Sequence, residues 1–312
     1  ISDIMSRPNW CTKCSVSNIF MKTIILHSQD LALAQNLSSN LNGELEQRKN
    51  HFRIHTKLSF NLEQLRQSNR ADLNLFKDNF NYSEIGLFVS DMDSTLVTIE
   101  TIDEIAKLVG IENEVASITK KTMLGYQDFS SSFKARVLML RGTKIEILKQ
   151  VYDEKLNYSD GAIELIDFLK SMNIKTALVS GGLSYFAQQL QNQLGLDSFK
   201  ANNVEIINNY LTGSVIGTVV GPQEKANYIN ELCMLYGLKK NQVLAIGDGA
   251  NDLEMMRIVG LSIAYKAKPL LQKNCDVIIN FSSLDSVIDF FDWLNSIQNL
   301  LLILRELELY LN

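Results

Sequence analysis

The pattern of apolar and polar positions along the 312-residue chain changes texture near residue 84. Before that point "KTIILH" (22–27) is an apolar run between polar residues and predicts a strand, while 30–41 repeats apolar positions at helical spacing. The same reading gives a strand over 52–58 and a helix over 61–68, so residues 21–80 are expected as a small α+β region. After residue 84, short apolar runs alternate with helical stretches: "LFVSD", "TALVSG", "VLAIGDG", "LSIAY" and "DVIIN". Runs that are apolar on both faces belong to parallel strands buried between helices. The expected fold class is therefore α/β, a Rossmann-like doubly wound parallel sheet over 84–295 with its site at the carboxyl ends of the strands.

About eighty residues separate the first of these strands from the second, far more than one crossover helix needs. Most read as helical, which predicts a helical cap at about 100–160, inserted after the first strand. The segment "NVEIINNYLTGSVIGTVVG" reads as a β-hairpin turning near 208–210. At the end of the chain "LLLILRELELYL" is too short and carries three charges, too many for a membrane span. Residues 296–312 are expected as an amphipathic helix packed on the body or on a second subunit, which would make a homodimer. Residues 1–20 lack periodicity and are expected as a leader or disordered extension, with Met21 the more natural start.

Composition narrows the function classes. The chain is 46% hydrophobic with a net charge of −5, enough for a proper core and short of the dense basic face that nucleic acid or an anionic membrane would require. Cysteines 11, 14, 233 and 275 do not make a disulfide framework, and "CTKC" lacks a second pair to complete a zinc site. Without a spanning helix or secretory signal, a cytoplasmic enzyme is expected. The three histidines, His27, His51 and His55, read as surface or partner contacts rather than a metal site.

Candidate chemistry gathers at three strand ends. Asp91 and Asp93 end the first apolar run; at i and i+2 on an extended chain they point to one side, and a hard dication such as Mg²⁺ would relieve their repulsion. Asp248 in "GDGAND" supplies a third oxygen from a neighbouring strand end. "SGG" (Ser180, Gly181, Gly182) precedes a helical stretch, so its N–H groups and hydroxyl suit an anion at a helix N-terminus. Asn251 or Asp252 suits the start of the next helix, and Lys225 can bring positive charge to a phosphoryl group.

Together "DMDSTL", "SGG", Lys225 and "GDGANDL" resemble the four motifs of the haloacid dehalogenase superfamily of phosphotransferases. "MLGYQDFSSSFKARVLMLRG" further resembles the cap signature of phosphoserine phosphatases, and the likeness covers about 86–293. The resemblance implies that Asp91 attacks phosphorus and becomes an aspartyl-phosphate, while Asp93 protonates the leaving oxygen and later deprotonates water. It implies Mg²⁺ on the Asp91 and Asp248 side chains and the Asp93 main-chain carbonyl. Ser180, Gly181, Gly182, Lys225 and Asn251 would hold the phosphoryl oxygens, with Asp252 supporting them from behind. For an O-phosphoserine substrate it implies Glu100 on the ammonium, Arg136 on the carboxylate, and Met123 and Phe129 as an apolar wall.

One departure stands out. Gly221–Pro222 precede Lys225, where the family pattern leads one to expect an acidic or small residue; Pro222 suits a helix start. The region before residue 84 is also shorter than the regulatory domains some bacterial members carry, so no sensing role is assigned to it. The alternatives are a related phosphotransferase, a phosphatase for another small ester, and a non-catalytic phosphoamino-acid binder on the same fold.

Overall fold

The computed structural model describes residues 21–77, 80–123 and 128–291, and for residues 121–123 the backbone alone. The "CTKC" pair, the opening segment, the C-terminal amphipathic helix and the Met123 side chain all lie outside the described residues.

The N-terminal unit runs β1 (Lys22–Leu26), α1 (Leu31–Asn40), β2 (Glu44–Gln47), β3 (Phe52–Thr56), α2 (Leu62–Asn69) and β4 (Leu73–Leu75). Its antiparallel sheet has the order β2-β3-β1-β4, the arrangement of a split β-α-β unit. Asp30 and Asn61 cap the two helices by accepting from Leu33 N–H and Gln64 N–H. Residues alternate across β1: Ile24 and Leu26 enter the unit's own core, while Ile25 joins the large core of the following domain. Two strands escape the periodicity reading. β2 is the charged edge segment "ELEQ" and β4 is only three residues long.

The second sheet has seven strands in the order β11-β10-β9-β5-β6-β7-β8. They are β5 (Leu87–Ser90), β6 (Lys175–Leu183), β7 (Ser198–Ile207), β8 (Tyr210–Ile216), β9 (Val243–Gly247), β10 (Leu261–Tyr265) and β11 (Val277–Ile279). Neighbours are parallel except the β7–β8 hairpin, whose Asn208 and Asn209 both take positive φ in the two-residue turn. β8 thus forms an antiparallel edge of the main sheet. Core residues alternate faces along the central strand: Phe88 faces one layer, Leu87 and Val89 the other.

Between β5 and β6 stand α3 (Thr101–Val109), α4 (Glu112–Met123), α5 (Phe129–Met139), α6 (Ile145–Glu154) and the returning crossover α7 (Ala162–Ser171). After β6 come α8 (Ser184–Leu194) and, following the hairpin, α9 (Pro222–Tyr236). The chain runs outward from β5 through β6 and β7, then resumes on the other side of β5 at β9. That reversal opens a crevice at the carboxyl ends of β5, β6 and β9.

The two histidines nearest the junction correct the surface reading. His27 and His51 are buried, with Nδ1 atoms 2.7 and 3.1 Å from the two carboxylate oxygens of Asp289. His55 is half-buried beside Glu46. The N-terminal sheet docks through polar groups: Asp72 accepts from the N–H groups of Asn280, Phe281 and Ser282, and Asn74 pairs both ways with the Ile278 backbone. Asp289 partners both Nδ1 atoms, and His51 Nε2 accepts from Arg53 Nε, while His27 Nε2 is buried with no partner among the described residues. No helix among the described residues is long and apolar enough to cross a membrane.

Candidate active site

β5 stops at Ser90, one residue short of the first carboxylate. Asp91 is extended, Asp93 is extended, and Ser94 turns through a left-handed conformation with φ 56°. The two aspartates therefore sit on a tight turn beyond the strand rather than on the strand itself. Asp91 Oδ1 accepts from Met92 N–H and lies 2.7 Å from Lys225 Nζ, which leaves Oδ2 clear of both. Asp93 Oδ2 accepts from the Thr101 hydroxyl at 3.1 Å, while Oδ1 is buried with no partner among the described residues.

Lys225 is wholly buried in the first turn of α9, the helix that Pro222 starts. Its ammonium also stands 2.7 Å from Asp252 Oδ1. Asp252 does not cap the helix after it; its Oδ2 reaches back to accept from Asp248 N–H and Gly249 N–H. It thereby orients the loop that presents Asp248. Burial opposes the charge on Lys225, but Asp252 and Asp91 more than offset it and raise its pKa. Burial, with the Asp252 carboxylate adding to it, pushes Asp91 up to about 8 despite Lys225. The same two causes push Asp248 up to about 7. Asp93 is raised well above the usual carboxylate range by burial, Glu100 and Asp91.

Asp91, Asp248 and Asp252 bring ligand oxygens within 4.8 Å of one another. Three buried carboxylates against one ammonium fit a hard dication. Asp252 is already bound to Lys225 and two N–H groups, so Asp91 and Asp248 have the freer oxygens.

The "SGG" segment precedes a helix as expected, with Leu183 the N-cap of α8, but it is itself part of β6. Val179 pairs with Lys200 and Leu183 with Asn202, so three residues of β6 face one of β7. This bulge takes Ser180, Gly181 and Gly182 out of the ladder, and a Cβ on Gly182 would lie 2.9 Å from Asp93 Oδ2. Ser180 is buried and its hydroxyl accepts from Gly182 N–H at 2.8 Å.

A cavity of about 310 Å³ opens between these strand ends and the cap. Its floor includes Asp91, Asp93, Asp248, Asn251 and the "SGG" bulge; its roof is α5, through Phe129, Ser132 and Arg136. The exposed Glu100 stands at the cap entry and accepts from Ser94 Oγ at 2.9 Å. Arg136 Nε is buried with no partner among the described residues. Burial lowers its pKa, with Asp103, Glu100 and Asp93 pulling the other way. Phe129 explains the Gly221 departure: a Cβ at Gly221 would lie 3.1 Å from its ring, and one at Gly181 only 2.6 Å from it. One cap ring thus rests on both glycines.

The structure brings together every proposed site residue whose side chain it describes. It adds Ser132, Thr101 and Lys268, which sequence reasoning missed. Phe129, Ser132 and Arg136 fall at i, i+3 and i+7, a spacing that would have put Ser132 on the same helix face. Lys268 Nζ is 3.9 Å from Asp248 Oδ2, a proximity with no local sequence signal.

Comparison with known proteins agrees with this geometry. The model of the haloacid dehalogenase-like hydrolase family matches residues 88–257. The chain belongs to that family. Hydrolases of this kind generally use a divalent metal, which the aspartate trio could hold. The chain is 44% identical over 206 residues to a phosphoserine phosphatase of Haemophilus influenzae, covering 66% of the chain and 65% of that relative. It thus spans slightly under two thirds of that protein's length. It is 39% identical to a phosphoserine phosphatase of Albidiferax ferrireducens, covering 67% of the chain and 90% of the relative. Among solved structures, the unliganded probable phosphoserine phosphatase of Vibrio cholerae superposes with a TM-score of 0.76 at 33% identity, covering 89% of this chain and 88% of that one.

Proposed function

We propose that this chain is a Mg²⁺-dependent phosphatase that converts O-phospho-L-serine to L-serine and phosphate, the last step of serine biosynthesis, in the cytoplasm. One observation carries the substrate assignment. Arg136, with its buried unpartnered Nε, and the Glu100 carboxylate share the cavity whose floor holds Asp91 and Asp93. An anion-reading fork and an ammonium-reading carboxylate on one side, and phosphoryl chemistry on the other, match the two ends of a phosphorylated amino acid.

Asp91 Oδ2, free of the contacts that hold Oδ1, attacks phosphorus in line; the bond from phosphorus to the serine oxygen breaks as the aspartyl-phosphate forms. Asp93, whose pKa burial and its acidic neighbours raise, gives a proton to the departing oxygen. The resulting carboxylate then takes a proton from the water that cleaves the intermediate and returns Asp91. Lys225, Ser180, the Gly181 N–H and Asn251 hold the phosphoryl oxygens, with the Gly182 N–H holding the Ser180 hydroxyl. Mg²⁺, held by the Asp91 and Asp248 side chains and the Asp93 main-chain carbonyl, would neutralise charge on the carboxylates and the phosphoryl group. Phe129 and the rest of the cap roof exclude water from the ester.

The test is turnover of phosphoserine against phosphothreonine, phosphoethanolamine and a sugar phosphate, with and without chelator. Phosphoserine should lead, and chelation should abolish activity on all. Equal or better rates on another ester would replace the substrate assignment with that of a related phosphatase or phosphotransferase.

A further inference from the structure

The geometry points to Asn202 as a positioning residue that locks the phosphoryl cradle to the lysine helix. The inference rests on the phosphatase reading above.

Asn202 is buried on β7 and touches no reacting group. Its Nδ2 donates to the Gly181 carbonyl at 3.0 Å, and its Oδ1 accepts from Val220 N–H at 2.7 Å. Only the amide nitrogen can serve the carbonyl and only the oxygen can serve the N–H, so both partners fix the same orientation.

Each bond holds a different wall. The bulge takes Gly181 out of the β6–β7 ladder, and a buried carbonyl without a partner is costly. Asn202, paired with Leu183 just beyond the bulge, replaces the lost ladder bond with its side chain. Fixing the Gly181 carbonyl fixes its peptide plane, and so the direction of the Gly182 N–H, which donates to the Ser180 hydroxyl at 2.8 Å and holds that oxygen at the cradle. The second bond pins Val220, two residues before the Pro222 that opens α9. Lys225 N–H bonds the Gly221 carbonyl within that first turn. One side chain thus sets the spacing between the serine-glycine bulge and Lys225. Phe129 rests on Gly181 and Gly221 from the cap side, so the two glycines are clamped between Asn202 and a cap ring. A cradle built from two separate segments needs such a tie, because misplacement by about 1 Å can cost about 100-fold in rate.

The experiment compares Asn202→Asp and Asn202→Leu with wild type in the Mg²⁺-loaded full chain. Asn202→Asp keeps the acceptor for Val220 N–H and loses the donor to Gly181; Asn202→Leu loses both. Readouts are kcat and KM on phosphoserine and on an aryl phosphate, the affinity for inorganic phosphate by calorimetry, and the melting temperature. Both variants should lose about 10- to 100-fold in kcat on both esters alike, and bind phosphate correspondingly less tightly. An Asn202→Asp protein with wild-type rates and phosphate affinity would overturn the inference, as would a loss confined to the melting temperature. A wild type that cleaves the aryl phosphate but not phosphoserine would sink the substrate assignment alone, since the aryl and phosphate readouts would still report on Asn202.

Discussion

Lys225 Nζ lies 2.7 Å from Asp91 Oδ1 in a buried setting, so the ammonium proposed to meet the phosphoryl group already holds the carboxylate proposed as nucleophile. The contact selects which oxygen of Asp91 stays free, and it leaves the cluster short of positive charge by at least one more cation.

Asp91→Asn should fall below about 0.1% of wild-type turnover, because the amide is no nucleophile. The fold should survive, since Asn retains the size of the side chain and can still accept from Met92 N–H. Turnover near the wild-type rate would mean that another group attacks phosphorus.

Metal removal should make stability depend on pH in a definite direction. Asp91 and Asp248 stand near 8 and 7 in the fold, against about 3.9 in an unfolded chain. Between these limits the folded metal-free protein holds protons that the unfolded chain has released, so its stability falls as pH rises. Mg²⁺ requires the deprotonated carboxylates, and its stabilising effect should grow over the same window. Melting temperatures with chelator and with Mg²⁺ should diverge from about pH 5 to about pH 8. A gap that stays constant or narrows would contradict the cluster as the metal site.

Arg136→Ala should lower kcat/KM for phosphoserine by about 10- to 100-fold, the worth of hydrogen bonds to a charged carboxylate. An aryl phosphate, which carries no carboxylate, should lose far less. Equal losses on both would assign Arg136 to the cap's structure instead.

Asp289→Asn should weaken the junction between the N-terminal unit and the α/β domain without altering kcat. Burial works against the Asp289 charge, but hydrogen bonds from His27 and His51 hold its pKa below the ordinary range. Its contribution is therefore present above about pH 3.9 and disappears as pH falls through the lower folded value. At neutral pH the variant should lose about 1–3 kcal/mol in denaturant titration. An unchanged midpoint would show that the two histidines do not depend on this carboxylate.

The family, the α/β class and the order of the chemical segments were legible in the sequence, because each is local. An apolar run buried on both faces announces a parallel strand, and groups at three such ends point to one edge. The resemblance of "DMDSTL", "SGG" and "GDGANDL" to a known set then turned position into role.

What tertiary structure alone decided involves groups distant along the chain or a backbone that leaves regular geometry. No periodicity announces that β6 bulges at Ser180, that Asn202 replaces the lost ladder bond, or that Lys225 is buried between Asp91 and Asp252. The histidines read as surface or partner contacts because a polar side chain is usually solvated; here Asp289, more than two hundred residues away, pairs with the Nδ1 atoms of two of them in the interior. Burial of a polar residue depends on its partner, and partners separated by that much chain meet only in the folded molecule.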